Sequence, residues 1–126
     1  MITLKYIKDE IQKIAEAIEA GLEIDVTIVD ENLVRVAGTG IYVEKIGKKV
    51  NGYSAFKKSI IEQSNILITD PSCNEICKEC YSRSDCREFS EMCCPIVCEG
   101  KSYGVIGLIA FDSEQADRIN KDHENL

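Results

Sequence analysis

All seven cysteines of this 126-residue chain lie between Cys73 and Cys98, and that crowding constrains the fold more than any other feature. A fold stapled by disulfides spreads an even number of cysteines along the chain, behind a secretion signal. Here the number is odd, and Met1 to Gly21 scatters Lys5, Lys8, Asp9, Glu10, Lys13, Glu16 and Glu19 where a signal peptide needs an unbroken apolar run. The rest of the chain must therefore build its core by ordinary apolar packing. Its length, with 44% apolar residues, suits one soluble domain spanning 1–126. No stretch approaches a membrane span, so a cytoplasmic location is expected. A net charge of −7 argues against a nucleic-acid surface, because phosphate binding needs clustered Lys and Arg.

Periodicity predicts an N-terminal helix over about residues 2–20, broken at Gly21. Leu4, Ile7, Ile11, Ile14 and Ile18 recur at spacings of three and four, which fits either a helix lying on its own sheet or a dimer seam. Residues 23–29 alternate, with Ile24, Val26 and Ile28 on one face. The turn Asp30-Glu31-Asn32 leads to a second apolar strand, Leu33 to Ala37, and Gly38-Thr39-Gly40 ends the hairpin. Tyr53, Phe56 and Ile60 mark a second helix ending near Gln63. Ile66 to Thr69 is a brief strand stopped by Asp70-Pro71. A cysteine-rich loop over 71–92 precedes a hairpin of Cys93 to Cys98 and Tyr103 to Phe111. Gly104 and Gly107 inside its second strand imply close approach of backbone or ligand. Asp112 or Ser113 can cap a polar last helix, 113–126, read as the start of a connector. The expected class is α+β, a five-stranded antiparallel sheet with flanking helices.

Pro95-Ile96-Val97, Glu99-Gly100-Lys101 and Gly104-Val105-Ile106-Gly107-Leu108-Ile109-Ala110 resemble the C-terminal hairpin of GAF domains. Ile28-Val29-Asp30-Glu31-Asn32 resembles the opening hairpin of PAS-type and sugar-diacid-recognition-type sensors. Over about residues 20–115 the chain resembles the GAF/PAS-like N-terminal sensors of sigma-54-dependent transcriptional regulators from anaerobic bacteria. That resemblance implies a signal-sensing domain, working as a homodimer through its terminal helices, that controls a downstream ATPase and DNA-binding domain. Most GAF and PAS domains lack this cysteine segment, so their ligands are not carried over and the ligand-binding residues stay unknown.

Cys73, Cys77, Cys80 and Cys86 form C-x3-C-x2-C-x5-C, followed by Cys93, Cys94 and Cys98. Four soft thiolates suit tetrahedral iron or zinc, and gaps of two or three residues let a loop turn successive sulfurs toward one centre. The first four are the expected ligands of an iron–sulfur cluster, of the 4Fe–4S type. Zinc, a thiol switch without metal, and buried structural cysteines remain alternatives. Zinc knuckles pair their ligands differently, and radical S-adenosylmethionine enzymes, which share C-x3-C-x2-C, need a far larger barrel. Cys94-Pro95 is a weak haem-binding signal. Cys93, Cys94 and Cys98 could supply a further ligand or a thiol switch; strand alternation sets Cys94 and Cys98 on one face and Cys93 on the other.

No catalytic constellation is present in the sequence. His123 is the only histidine and sits in the polar last helix, which removes a cysteine–histidine dyad and histidine-dependent triads. Asp70, Asp85 and Glu88 flank the cysteines and read as solvated loop charges. Gly38-Thr39-Gly40 is too short for a phosphate loop. Arg35, Tyr42 and Tyr53 could line a pocket on the sheet or simply pack. The expected function is redox or gas sensing through the cluster, without enzyme activity; the alternative is a small-metabolite module whose cysteines are structural or form a thiol switch.

Overall fold

A computed structural model describes residues 4–50, 55–68 and 90–122. The expected ligands Cys73, Cys77, Cys80 and Cys86, together with Tyr53, Asp70, Asp85, Glu88 and His123, lie outside the described residues.

Five strands form one antiparallel sheet: β1 (Asp25–Asp30), β2 (Arg35–Gly38), β3 (Ile66–Ile68), β4 (Ser90–Cys98) and β5 (Lys101–Ala110). Their order is β2-β1-β5-β4-β3. Helices α1 (Lys8–Leu22) and α3 (Ser113–Asp122) pack on one face, and α2 (Ala55–Glu62) packs on the other. The expected α+β class holds. Among the described residues, no helix is long and apolar enough to cross a membrane.

Alternation decides the two cores. Val26, Ile28, Met92 and Leu108 join Ile11, Ala15, Ala116 and Ile119 under α1 and α3. Val29, Val105, Cys93, Ile66 and Ile68 join Ala55 and Phe56 under α2. Asp30 Oδ1 accepts the backbone N–H groups of Asn32 and Val34 at 2.9 and 3.0 Å, closing the β1–β2 turn as an Asx-type device. The Asp112 carboxylate caps α3 by accepting the Gln115 N–H at 2.8 Å.

Three details differ from the sequence pattern. The chain opens with a 3₁₀ turn, Leu4–Ile7, before α1 begins. The seam then splits: Leu4 and Ile11 are buried with Ala15, and Ile18 packs beside them, whereas Ile7 and Ile14 stay 38% and 47% exposed. Second, β4 starts at Ser90, inside the stretch expected to be loop. Ser90 and Glu91 look like loop residues by polarity, yet both are buried, and the Ser90 hydroxyl donates to the Ile68 carbonyl at 2.9 Å. Third, the edge of β2 is occupied. Gly38 exchanges two hydrogen bonds of 2.9 Å with the Gln12 side-chain amide, and Arg35 pairs through its backbone with Gly47 and Lys48.

Candidate functional site

The α2 face of the sheet holds an unusual share of the buried polar side chains, arranged in rows set by strand register. Thr27 pairs with Gly107, Gly107 with Cys93, and Cys93 with Ile66, so one row runs Thr27–Gly107–Cys93–Ile66 across four strands. The next runs Asp25–Ile109–Glu91–Ile68. Glycine in the middle of the first row leaves room that the Phe56 ring of α2 fills. A β-carbon built on Gly107 would lie 2.7 Å from the ring and 3.0 Å from Thr27 Cγ2. Gly104 fills a similar role, since a β-carbon there would collide with the Val29 carbonyl and Leu4. The close approach expected at both glycines is thus made by the protein's own groups.

Around this row sit charges of both signs. Arg35, on β2, donates from Nε to Thr27 Oγ1, and its guanidinium lies 5.2 Å from the centre of the Tyr42 ring. Tyr42 is itself buried, stacks near Phe111 at 6.3 Å, and has Lys45 Nζ at 5.5 Å on its ring. Such cation–aromatic contacts gain strength when desolvated. Thr39 ties the corner together: its hydroxyl accepts the Val26 N–H at 2.9 Å and donates to Asp25 Oδ1 at 3.2 Å. On β4, Glu91 and Cys93 share the α2 face, and Cys93 Sγ lies 3.3 Å from Glu91 Oε1. A buried thiol donating to a carboxylate keeps both groups satisfied in a low-dielectric setting.

The three strand cysteines are not brought together. Cys93 is buried under α2, and Cys94 packs on the α1/α3 face. Cys98 is exposed, beyond a register shift at Ile96/Val97 and beside the Glu99-Gly100 turn. Burial pushes the Cys94 thiol above its ordinary pKa, which disfavours the thiolate needed for ligation or exchange. Cys93 is therefore the strand cysteine nearest in setting to a candidate centre: it is three residues from the end of the cysteine-rich connection and on the side of the sheet that carries the charged row. Among the described residues no three potential ligands already cluster for a metal.

The connection 69–89 leaves β3 after Ile68 and returns at Ser90, and Ile68 pairs with Glu91. Its two ends are thus held on neighbouring strands, about 5 Å apart. Closing this loop by strand pairing removes much of the entropic barrier to gathering Cys73, Cys77, Cys80 and Cys86 at one point. Four thiolates within so short a closed segment fit a soft metal centre as a donor set.

Sequence reasoning underrated this face. Arg35, a cation inside an otherwise apolar strand, was a readable signal, as were Tyr42 and Gly107. Thr27, Thr39, Ser90 and Glu91 carried none, because their partners come from other strands.

No protein-family model matches the chain. Over 93% of its length it is 35% identical to a protein of Escherichia coli (strain K12) named as a uric acid sigma-54-dependent transcriptional regulator. The chain spans about a fifth (20%) of that relative. Among solved structures, the fold is similar to the A. aeolicus nlh2 GAF domain in an inactive state: TM-score 0.67, 14% identity, covering 90% of this chain and 74% of that one. It is also similar to the type II free methionine-R-sulfoxide reductase from Thermoplasma acidophilum: TM-score 0.59, 15% identity, covering 94% and 88% of the two chains. The fold is that of GAF domains.

Proposed function

We propose that this chain is the signal-sensing GAF domain of a sigma-54-dependent transcriptional regulator, with a thiolate-bound iron–sulfur centre as its input. The observation that carries the reading is the division of labour across the sheet. One face holds the buried charged row and α2, the other holds α1 and α3, and the paired strands β3 and β4 hold the two ends of the cysteine segment. The relative's length, about five times that of the segment matched, leaves room for an ATPase and a DNA-binding domain beyond this one. A regulatory role is also that of the relative, which is named as a transcriptional regulator.

In this reading Cys73, Cys77, Cys80 and Cys86 hold the centre, with Cys93 as the strand residue placed to substitute for one of them. When bound, a cluster supplies electron exchange and reactivity toward oxygen or nitric oxide. The protein's own part is mechanical. The β3–β4 pairing fixes the segment's ends, Glu91 and Cys93 lie at its root, and Phe56 seats α2 against the same row. A change in the segment is thereby delivered to β4, whose opposite side touches α1 and α3 through Met92, Cys94 and Ile96. Self-association uses the outer side of the N-terminal helical segment, where Ile14 of α1 and Ile7 of the preceding 3₁₀ turn are both exposed.

Anaerobic purification followed by iron and sulfide analysis and a visible spectrum tests the input. A coloured protein that bleaches in air, and loses colour when Cys77 or Cys80 becomes Ser, is the expected result. A colourless, iron-free protein that still responds to its signal overturns the metal reading. A second reading rests on the Arg35–Thr27–Tyr42 group, whose cation and aromatic surface suit a planar, electron-rich metabolite. The uric acid in the relative's name is of that chemistry. Urate that binds the metal-free protein, and fails to bind after Arg35→Ala, would favour it.

A further inference from the structure

The corner where α1, β1 and α3 meet is joined by hydrogen bonds as well as by packing. Here α1 ends on Glu23, which adopts the left-handed conformation (φ 56°, ψ 40°) and returns its N–H to the Glu19 carbonyl at 2.7 Å. That conformation is disfavoured for a residue with a β-carbon. It turns the Glu23 carbonyl toward α3, where two donors converge on it: Gln115 Nε2 at 3.2 Å and Arg118 Nη1 at 3.3 Å. Gln115 also accepts the Phe111 N–H through Oε1 at 2.8 Å, so one side chain links the exit of β5 to the end of α1. The contact bridges a cleft of about 310 Å³ lined by Glu19, Ala20, Glu23, Ile24, Asp25 and Gln115. Apolar anchoring of α3 comes from Ala116 and Ile119.

From this geometry we infer that the Glu23 carbonyl is a latch that sets the position of α3 relative to α1 and β1, and that it transmits the sheet's signal to the helix leading onward. The transmission rests on the sensory reading above; the latch itself does not. Arg118 also forms ion pairs with Glu23 Oε2 at 3.4 Å and Glu114 at 2.9 Å, but Glu23 and Glu114 are largely exposed there. Exposed pairs contribute little. The hydrogen bonds to the Glu23 carbonyl are exposed too; what sets the carbonyl apart is that two side chains of α3 converge on one backbone acceptor, which the end of α1 holds in place.

Hydrogen exchange on the full chain separates these. Gln115→Glu keeps the acceptor for Phe111 N–H and introduces a negative charge, which is tolerated at the start of α3, but removes the donor to Glu23. Arg118→Leu removes the other donor, and Glu23→Gln removes the ion pair while leaving the carbonyl in place. Exchange of α3 amides should rise by roughly three- to tenfold in each of the first two variants, the range for one hydrogen bond lost, and stay near wild type in the third. Unchanged α3 exchange in Gln115→Glu, or an equal rise in Glu23→Gln, overturns the latch. For transmission, the same measurement is made before and after anaerobic loading with iron and sulfide. Loading should alter α3 exchange in the wild type and not in Gln115→Glu. Loading that alters β4 but leaves wild-type α3 unchanged overturns transmission. Failure to take up iron at all counts against the metal centre and leaves the three-variant comparison to decide the latch.

Discussion

Replacing Gly107 by Ala tests whether α2 is seated on the sheet by one vacancy. The added methyl would lie 2.7 Å from Phe56 Cε1 and Cζ and 3.0 Å from Thr27 Cγ2. Ordinary carbon contacts need about 3.5 Å or more, so the ring must move by most of an ångström. Phe56 and Thr27 are both buried and cannot swing into solvent. Overpacking of this kind typically costs about 1–3 kcal/mol. For a chain of this size that corresponds to roughly 4–11 °C in Tm. The control is Phe56→Leu, which shortens the group in conflict. Alone it leaves a void and costs about 1 kcal/mol. Combined with Gly107→Ala it should recover part of the loss, giving an interaction energy of about 1–2 kcal/mol in a double-mutant cycle.

Gly104→Ala supplies the contrast. Its methyl would collide with the backbone carbonyl of Val29, which no neighbouring side-chain substitution can relieve. It should cost more than Gly107→Ala, about 3 kcal/mol or above. Leu4→Ala should not rescue it. Urea unfolding followed by circular dichroism measures these variants beside the wild type. A Gly107→Ala protein as stable as wild type, or strictly additive behaviour with Phe56→Leu, would refute the claim that the ring occupies the glycine's place.

Other expectations follow from placement. Of the three strand cysteines, iodoacetamide should modify exposed Cys98 first, half-buried Cys94 more slowly and buried Cys93 only as the fold opens, as peptide mass mapping can follow. Because burial raises the Cys94 pKa in the folded state, folding favours its protonated form. The associated stability is present below the ordinary value of 9.0 and is lost as pH rises through the higher folded value. Cys94→Ala should flatten that alkaline decline in urea midpoints. Ile14→Glu should abolish self-association measured by light scattering while leaving the circular dichroism of the fold intact, since Ile14 is 47% exposed and outside both cores.

The sequence disclosed what depends on neighbours along the chain. Alternation at Ile24, Val26 and Ile28, the Asp30 turn, the Asp112 cap and the crowding at Gly104 and Gly107 were all readable, and the five-strand sheet followed from them. Hidden features depend on residues far apart. Gln115 and Arg118 reach Glu23 across 92 and 95 positions, and Gln12 reaches Gly38 across 26. Ser90 and Glu91 read as loop because their burial is decided by the pairing with β3. The α1 seam misled because spacing alone does not say which residues meet the sheet: Leu4, Ile11 and Ala15 take the core, while Ile7 and Ile14 stand on the exposed side.

The strength of the α3 attachment matches what a sensor requires. Burying Ile119 contributes about 2–3 kcal/mol, the Ala116 methyl about 0.8 kcal/mol, and two hydrogen bonds to the Glu23 carbonyl about 1 kcal/mol each. These terms are gross, and ordering the helix opposes them. Moving a two-state equilibrium from one side almost wholly to the other takes about 5.5 kcal/mol of differential interaction. A terminal helix sewn into the core by many large residues would lie beyond the reach of such a signal. One with a wholly polar surface would never dock. With one isoleucine, one alanine and a shared carbonyl, α3 sits between those limits. The polarity of the last helix, which in sequence suggests fraying, is thus the property that, under the proposed transmission, would let a change on the α2 face be felt at α3.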